Sequence, residues 1–176
     1  MSTEGILAGK AAGGDAAAFA TLVRRHQSSL RGFLLRLTRG DHALADDLAQ
    51  EVFIEAYRKL AQFDGRGSFA GWLYAIAWSR FRMAVRKRRP EALGEEDIPD
   101  TAAPAAGGSE ARLDLEKAMA KLAPGERASL TLCFALGMSH EEAAMTLNLP
   151  LGTLKSHVAR GREKLKTLLA GWEREA

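Results

Sequence analysis

The chain has 176 residues, 47% hydrophobic and 27% charged, with a net charge of +3, the balance of an ordinary water-soluble protein able to form one core or two small ones. Its single cysteine, Cys133, excludes an internal disulfide, and a buried structural thiol is the expected state. No apolar run is long enough to span a bilayer, no leader pattern opens the chain and no His/Cys spacing suits a metal, so a cytoplasmic protein without metal or cofactor is expected.

Nothing alternates as a strand does, and the periodic segments all read as helices, giving an all-α fold class. From Asp15 to Leu37 the residues Phe19, Leu22, Val23, Leu30, Phe33, Leu34 and Leu37 form one apolar stripe, broken by Arg39, Gly40 and Asp41. A second helix is predicted from Asp41 to about Gln62, with Leu44, Leu48, Val52, Ala56 and Leu60 facing inward. On its outer side Asp46, Asp47 and Gln50 share an arc about 100° wide, with Glu51 at the edge. A merely solvated acidic face accounts for them equally well. Phe63 to Ser68 (FDGRGS) is a loop by composition.

A third helix is predicted from Phe69 to about Arg88, packing through Trp72, Leu73, Ile76 and Ala77. Ser79, Arg82, Arg86 and Arg89 line its other side at helical spacing. Such a stripe either follows phosphates or is simply a solvated basic face. Six cations and no acids lie between Arg80 and Arg89, then five acids and no cations between Glu91 and Asp100. That polarity favours a nucleic-acid partner more than the net charge does. After Pro90, residues 91–110 are rich in Ala, Gly, Pro and acids and lack aromatics, the composition of a flexible tether that leaves the flanking domains free to move.

Beyond it come helices at 112–122 and 125–136, then Gly137 as a C-cap. Ser139 and Glu142 form a capping box that starts a short helix. Asn148, Leu149 and Pro150 end it. The final helix carries Leu154, Val158, Gly161, Leu165 and Leu168 on its inner stripe, and Lys155, Ser156, His157, Arg160, Arg162, Lys164 and Lys166 elsewhere. A short capped helix, a tight turn and a basic second helix make a helix-turn-helix, whose second helix enters the DNA major groove by its first turns. The architecture is two small helical domains, 1–90 and 111–176, joined by a flexible linker over 91–110. Few residues precede the first helix and seven follow Leu169, too few at either end for a further regulatory domain.

The helix-turn-helix LPLGTLKSHVARGREKL, together with DDLAQEVFIEAYRKLAQF and SFAGWLYAIAWSRFRMAVRKRRP upstream, resembles the extracytoplasmic-function class of bacterial RNA polymerase sigma factors, regions two and four. The resemblance runs from Asp15 to Leu169 in the family's order. It implies that Asp47, Gln50, Glu51 and Phe53, matching D-x-x-Q-E-x-F, dock on core RNA polymerase together with Asp46. Phe53 also fits a core position. For the minus-ten element it implies Phe63, Asp64, Ser68, Ser79, Arg82, Arg86 and Arg89, the loop at Phe63 to Ser68 matching the segment that captures a flipped non-template base. Phe63, Phe69, Trp72 and Trp78 are the aromatics nearby, with Trp72 placed in the packing stripe. For the minus-thirty-five element it implies Thr153, Lys155, Ser156, His157, Arg160 and Arg162. Ser79 stands where relatives often have asparagine, and His157 where arginine is frequent, so base preference is expected to differ there. The acids of the linker could imitate nucleic-acid charge inside the polymerase or form a plain tether.

The implied function is promoter recognition and melting by a factor that performs no chemistry itself, is monomeric when free, and is held by an anti-sigma partner. A stand-alone dimeric helix-turn-helix regulator is the alternative, though it leaves the D-x-x-Q-E-x-F face and the basic third helix without a role. A helical adaptor would make the basic recognition face accidental. No nucleophile–base–orienter set supports an enzyme.

Overall fold

The computed structural model describes residues 2–65, 67–88 and 110–170. They form eight α-helices: α1 (Thr3–Ala12), α2 (Ala16–Leu37), α3 (His42–Lys59), α4 (Phe69–Arg88), α5 (Glu110–Ala120), α6 (Pro124–Leu130), α7 (His140–Leu147) and α8 (Leu151–Leu169). No strand occurs among the described residues, and no described helix is long and apolar enough to cross a membrane. The all-α reading therefore holds. Arg89 and nearly all of the segment read as a linker lie outside the described residues; its last residue, Glu110, already belongs to α5.

The helix starts follow local chemistry. Asp15 Oδ1 accepts the Ala18 N–H at 3.0 Å and Asp41 Oδ1 the Leu44 N–H at 2.9 Å, each satisfying one of the orphan donors at a helix N-terminus. Between α2 and α3 the chain turns through Arg39 and Gly40, both at positive φ (57° and 87°). The predicted second helix ends earlier than its pattern, with Leu60–Gln62 tightening into a 3-10 turn. Likewise the predicted helix over 125–136 divides: α6 stops at Leu130 and Thr131–Ala135 forms a π turn. Thr131 Oγ1 donates to the Arg127 carbonyl at 2.8 Å there, and Gly137 (φ 69°) ends the segment as its position predicts. Cys133 is half-buried, which pushes its thiol pKa up.

One helix was invisible to periodicity. In α1 the small residues Ala8 and Ala11 provide the buried contact, so no stripe of large side chains announces it. Ser2 caps it, and Glu4 reaches the His26 ring on α2 at 2.9 Å.

In the first domain Leu22, Leu30, Phe33 and Leu34 of α2 meet Leu48 and Val52 of α3 and Leu73, Tyr74, Ala77 and Phe81 of α4. The second domain does not stand apart from this core. Ala128, Leu132, Ala143, Ala144, Leu147 and Leu154 belong to the same apolar cluster, while Met119, Leu122, Leu130 and Val158 form a smaller one. The two domains, expected to move freely, are packed against each other. The seam draws on small residues of α6 and α7, whose length and composition gave no sign of an outward apolar face.

Candidate nucleic-acid interface

Three surfaces gather the residues singled out by sequence. On α3, Asp47, Gln50 and Glu51 are exposed. Asp46 is not equivalent to them: Arg31 grips its carboxylate with Nε at 2.5 Å and Nη2 at 3.3 Å. That hydrogen bond and charge hold the Asp46 carboxyl below the usual carboxylate range. Its charge is largely answered within the domain. Phe53 is half-buried against the core, in keeping with its core-compatible position.

On α4, Ser79, Arg82 and Arg86 are exposed, as their spacing predicts. Not every cation in this run is available. Arg80 is tied to Glu55, with Glu51 at 3.7 Å, and Arg88 has Asp41 at 3.6 Å. Arg82, Arg86 and Lys87 make no ion pair among the described residues. At the foot of α4, Phe63, Phe69 and Trp72 form a triangle of rings with centroids 5.5–5.6 Å apart. Phe69 is its floor, only 1% exposed and backed by the His26 ring at 5.4 Å. Phe63 and Trp72 are half-buried, so each keeps some ring surface open to a planar ligand. Trp72 is thus both core and rim. Trp78 is buried against Phe81 and offers no such surface. Asp64 and Ser68 are exposed beside the triangle; Ser68 Oγ accepts the Gly71 N–H at 3.0 Å and so starts α4.

The helix-turn-helix is built as its sequence indicates. Ser139 Oγ accepts the Glu142 N–H at 3.1 Å and Glu142 Oε2 accepts the Ser139 N–H at 2.8 Å. The bond from the Ser139 N–H holds the Glu142 carboxyl below its ordinary range. Asn148 takes the left-handed conformation (φ 53°, ψ 49°) that closes α7, one that asparagine tolerates better than most side chains. On α8, Lys155, Ser156, Arg160 and Arg162 are exposed and Thr153 is half-buried. Ser156 Oγ donates back to the Gly152 carbonyl at 2.9 Å. Of the predicted inner stripe, Leu154, Val158 and Gly161 are buried, whereas Leu168 is 40% exposed.

His157 is the correction. It is only 6% exposed, and its ring lies so close to Gly125 that a Cβ there would come within 2.6 Å of Nδ1. A wheel drawn for α8 alone places His157 beside the DNA-facing residues, but α6 covers that side. The reading of His157 as a base or phosphate contact is therefore replaced by a packing role. Two residues on α6 were missed. Glu126, 3% exposed, accepts from Lys164 Nζ at 2.9 and 3.0 Å and lies 3.6 Å from Arg160 Nε. It steers two cations of α8. Arg127 is wholly buried, and with Glu126 beside it in the sequence nothing local distinguishes it from a solvated charge.

Substituting alanine for Arg82, which pairs with no acid among the described residues, is expected to reduce the salt dependence of promoter binding by about one unit of log–log slope. The same change at Arg80 should cost stability instead, because it removes one of the two cations, Arg80 and Lys59, that answer Glu55. Titrating affinity against salt for both variants separates the two roles.

Residues 22–91 match the family described as Sigma-70 region 2, and residues 112–165 that described as Sigma-70, region 4. An ECF RNA polymerase sigma factor, SigE of Mycolicibacterium smegmatis, is 38% identical over 89% of this chain; the match spans 65% of that relative, less than two thirds of its length. The RNA polymerase sigma-H factor of Pseudomonas aeruginosa is 33% identical over 93% of this chain and 92% of its own. Among solved structures, the sigma factor RpoE of Bartonella quintana in complex with the anti-sigma factor NepR superposes with a TM-score of 0.75 at 31% identity, covering 86% of this chain and 96% of that one. CnrH in complex with the cytosolic domain of CnrY gives 0.72 at 31% identity, covering 94% and 96%.

Proposed function

Because the chain belongs to the extracytoplasmic-function sigma factors, which direct RNA polymerase to initiate transcription at specific promoters, we propose that its three surfaces divide that work. Residues 1–90 act as region two and residues 111–176 as region four, joined by the segment between them. Asp47, Gln50 and Glu51 dock on core polymerase, and Asp46 fixes the local charge through Arg31 rather than meeting the partner directly. Arg82 and Arg86, with Ser79 between α4 and the bases, hold the minus-ten strand. Phe63 and Trp72 receive a flipped base over Phe69. Lys155, Ser156, Arg160 and Arg162 meet the minus-thirty-five element in the major groove.

The physical logic is one of separate labours. Groove contacts by α8 read the sequence, while phosphate contacts along α4 position the strand, are indifferent to sequence and are screened by salt. Unstacking a base costs a few kcal/mol, which stacking on open aromatic faces offsets. No bond is made or broken by the factor, and the polymerase supplies the catalysis. It acts in the cytoplasm as a monomer, under an anti-sigma partner such as the NepR bound to RpoE. A stand-alone dimeric regulator is not favoured, because it needs neither the acidic α3 face nor the aromatic triangle.

The observation that carries this reading is the capped α7–Asn148–α8 unit with Lys155, Ser156, Arg160 and Arg162 all exposed. Lys155→Ala with Arg160→Ala is expected to reduce transcription from a minus-thirty-five-dependent promoter by tenfold or more, with polymerase binding unchanged. Asp47→Arg should do the reverse, weakening co-purification with core polymerase about tenfold while the melting temperature holds. Intact polymerase binding by Asp47→Arg would remove the docking face from α3.

A further inference from the structure

Beside α8 lies a pocket of about 290 Å³. Lys121, Gly125 and Glu126 line it from the turn after α5 and the start of α6, His157, Arg160 and Lys164 from α8, and Arg39 from the turn after α2. Among the described residues, four cations there face one acid. Glu126 answers Lys164 through both carboxylate oxygens, at 2.9 and 3.0 Å, and lies 3.6 Å from Arg160. Its Oε2 also accepts the Ala123 N–H at 3.2 Å, so the carboxylate has little left to offer the others. Lys121 is exposed and makes no ion pair among the described residues. A deeper charge adds to the excess. Arg127 is wholly buried, and its guanidinium donates to the carbonyls of Leu37, Met119 and Leu122 at 2.8, 3.0 and 2.6 Å rather than to an acid. Burial first, and the charge of Arg39 second, lower its pKa to about 10, which leaves it charged at neutral pH. The two guanidinium charges therefore reinforce each other beside the pocket.

The pocket wall holds a second, independent signal. His157 Nδ1 is buried and has no hydrogen-bond partner among the described residues, whereas buried polar side-chain atoms are as a rule bonded. A Cβ added at Gly125 would come to 2.6 Å from that nitrogen. The ring is thus turned toward the glycine face of the pocket, where only a residue without a side chain leaves it room. Nδ1 can carry the ring proton and donate it to an oxygen.

We propose that this pocket binds a small phosphate anion, held by Lys121, Arg39 and Arg160, with the His157 ring adding a donor alongside its packing role. An anion of charge two or more meets the excess that Glu126 leaves, and its several oxygens accept from donors on three parts of the chain. Guanidinium groups present the paired donors that suit phosphate, and a lysine adds a point charge. The volume stands at the lower edge of small-molecule sites, about 300–1,000 Å³. It takes inorganic phosphate or diphosphate, or that part of a larger molecule, and leaves a base or sugar outside. The DNA backbone carries the same chemistry, but Glu126 and His157 are 3% and 6% exposed, set back from the surface on which a duplex would rest. A free anion can enter where a duplex cannot. Binding of such an anion by the free chain does not depend on promoter reading.

The test titrates inorganic diphosphate into the full chain at fixed ionic strength and follows the ring signals of its four histidines by NMR. The His157 signal is expected to shift and saturate at one equivalent, while those of His26 and His140, which do not line the pocket, stay in place. Lys121→Ala should weaken diphosphate binding about tenfold, the loss of one charge-assisted hydrogen bond. Its melting temperature should hold, because the side chain is exposed. Lys166→Ala removes an exposed cation outside the pocket and should leave binding unchanged. Equal weakening by the two variants would reduce the effect to general attraction by a basic surface and overturn the site. A His157 signal that diphosphate does not move overturns it as well. The second arm measures the salt dependence of binding to a minus-thirty-five duplex, which Lys121→Ala is expected to leave unaltered. A slope lower by about one unit would place the DNA backbone in the pocket and refute the small-anion site.

Discussion

Phe63→Ala is expected to reduce open-complex formation about ten- to a hundredfold while polymerase binding is preserved. Phe63 is half-buried, with its ring edge-on to Phe69 and tilted to Trp72. It therefore has a face to lose to a ligand without being the keystone of the core. Stacking of a base on an aromatic ring is worth about 1–3 kcal/mol, a range that spans the stated loss. Permanganate reactivity of thymines in the melted segment measures it directly. Phe69→Ala provides the contrast. That ring is 1% exposed, so its removal leaves a cavity costing about 3–5 kcal/mol and should unfold region two at physiological temperature. Equal effects of the two substitutions on melting temperature would mean that Phe63 is core and that the triangle is no base receptor.

Gly125→Ala should destabilise region four by about 1–3 kcal/mol, the usual cost of overpacking, and impair minus-thirty-five recognition with it. Gly125 does not sit at positive φ, so alanine suits its backbone; the obstacle is the His157 ring against it. To make room the imidazole must leave its pocket and α8 must move with it. Combining Gly125→Ala with His157→Ala should then cost less than the sum of the single changes, the sign of two side chains competing for one space. Thermal melts of the four proteins give the coupling. Strict additivity would show that the ring has another place to go, and would return His157 to the DNA-facing side of α8.

Much of the functional surface was legible because its signals are local. Ser139 and Glu142 meet within one helical turn, Asn148 and Pro150 end a helix by their own backbone preferences, and the exposed arc of Asp47, Gln50 and Glu51 follows from period alone. The basic stripe was legible in position but not in availability. Within the run of six cations, Arg80 and Arg88 are answered by Glu55 and Asp41, acids distant in sequence. Asp46 differs from Asp47 for the same reason, since its partner Arg31 is on another helix. The α1 helix escaped notice because its contact is made by alanines.

Sequence alone determined the all-α class, the order of the helices from α2 onward apart from the π turn after Leu130, and the capped helix-turn-helix, because these depend on propensity, capping and period within a few residues. Tertiary structure decided which faces remain open. It turned His157 inward under α6, left Phe63 and Trp72 open over Phe69, and brought the carbonyl ends of α2 and α5 around Arg127. Those outcomes depend on a side chain's neighbours across the fold, and a buried cation among carbonyls has no sequence signature.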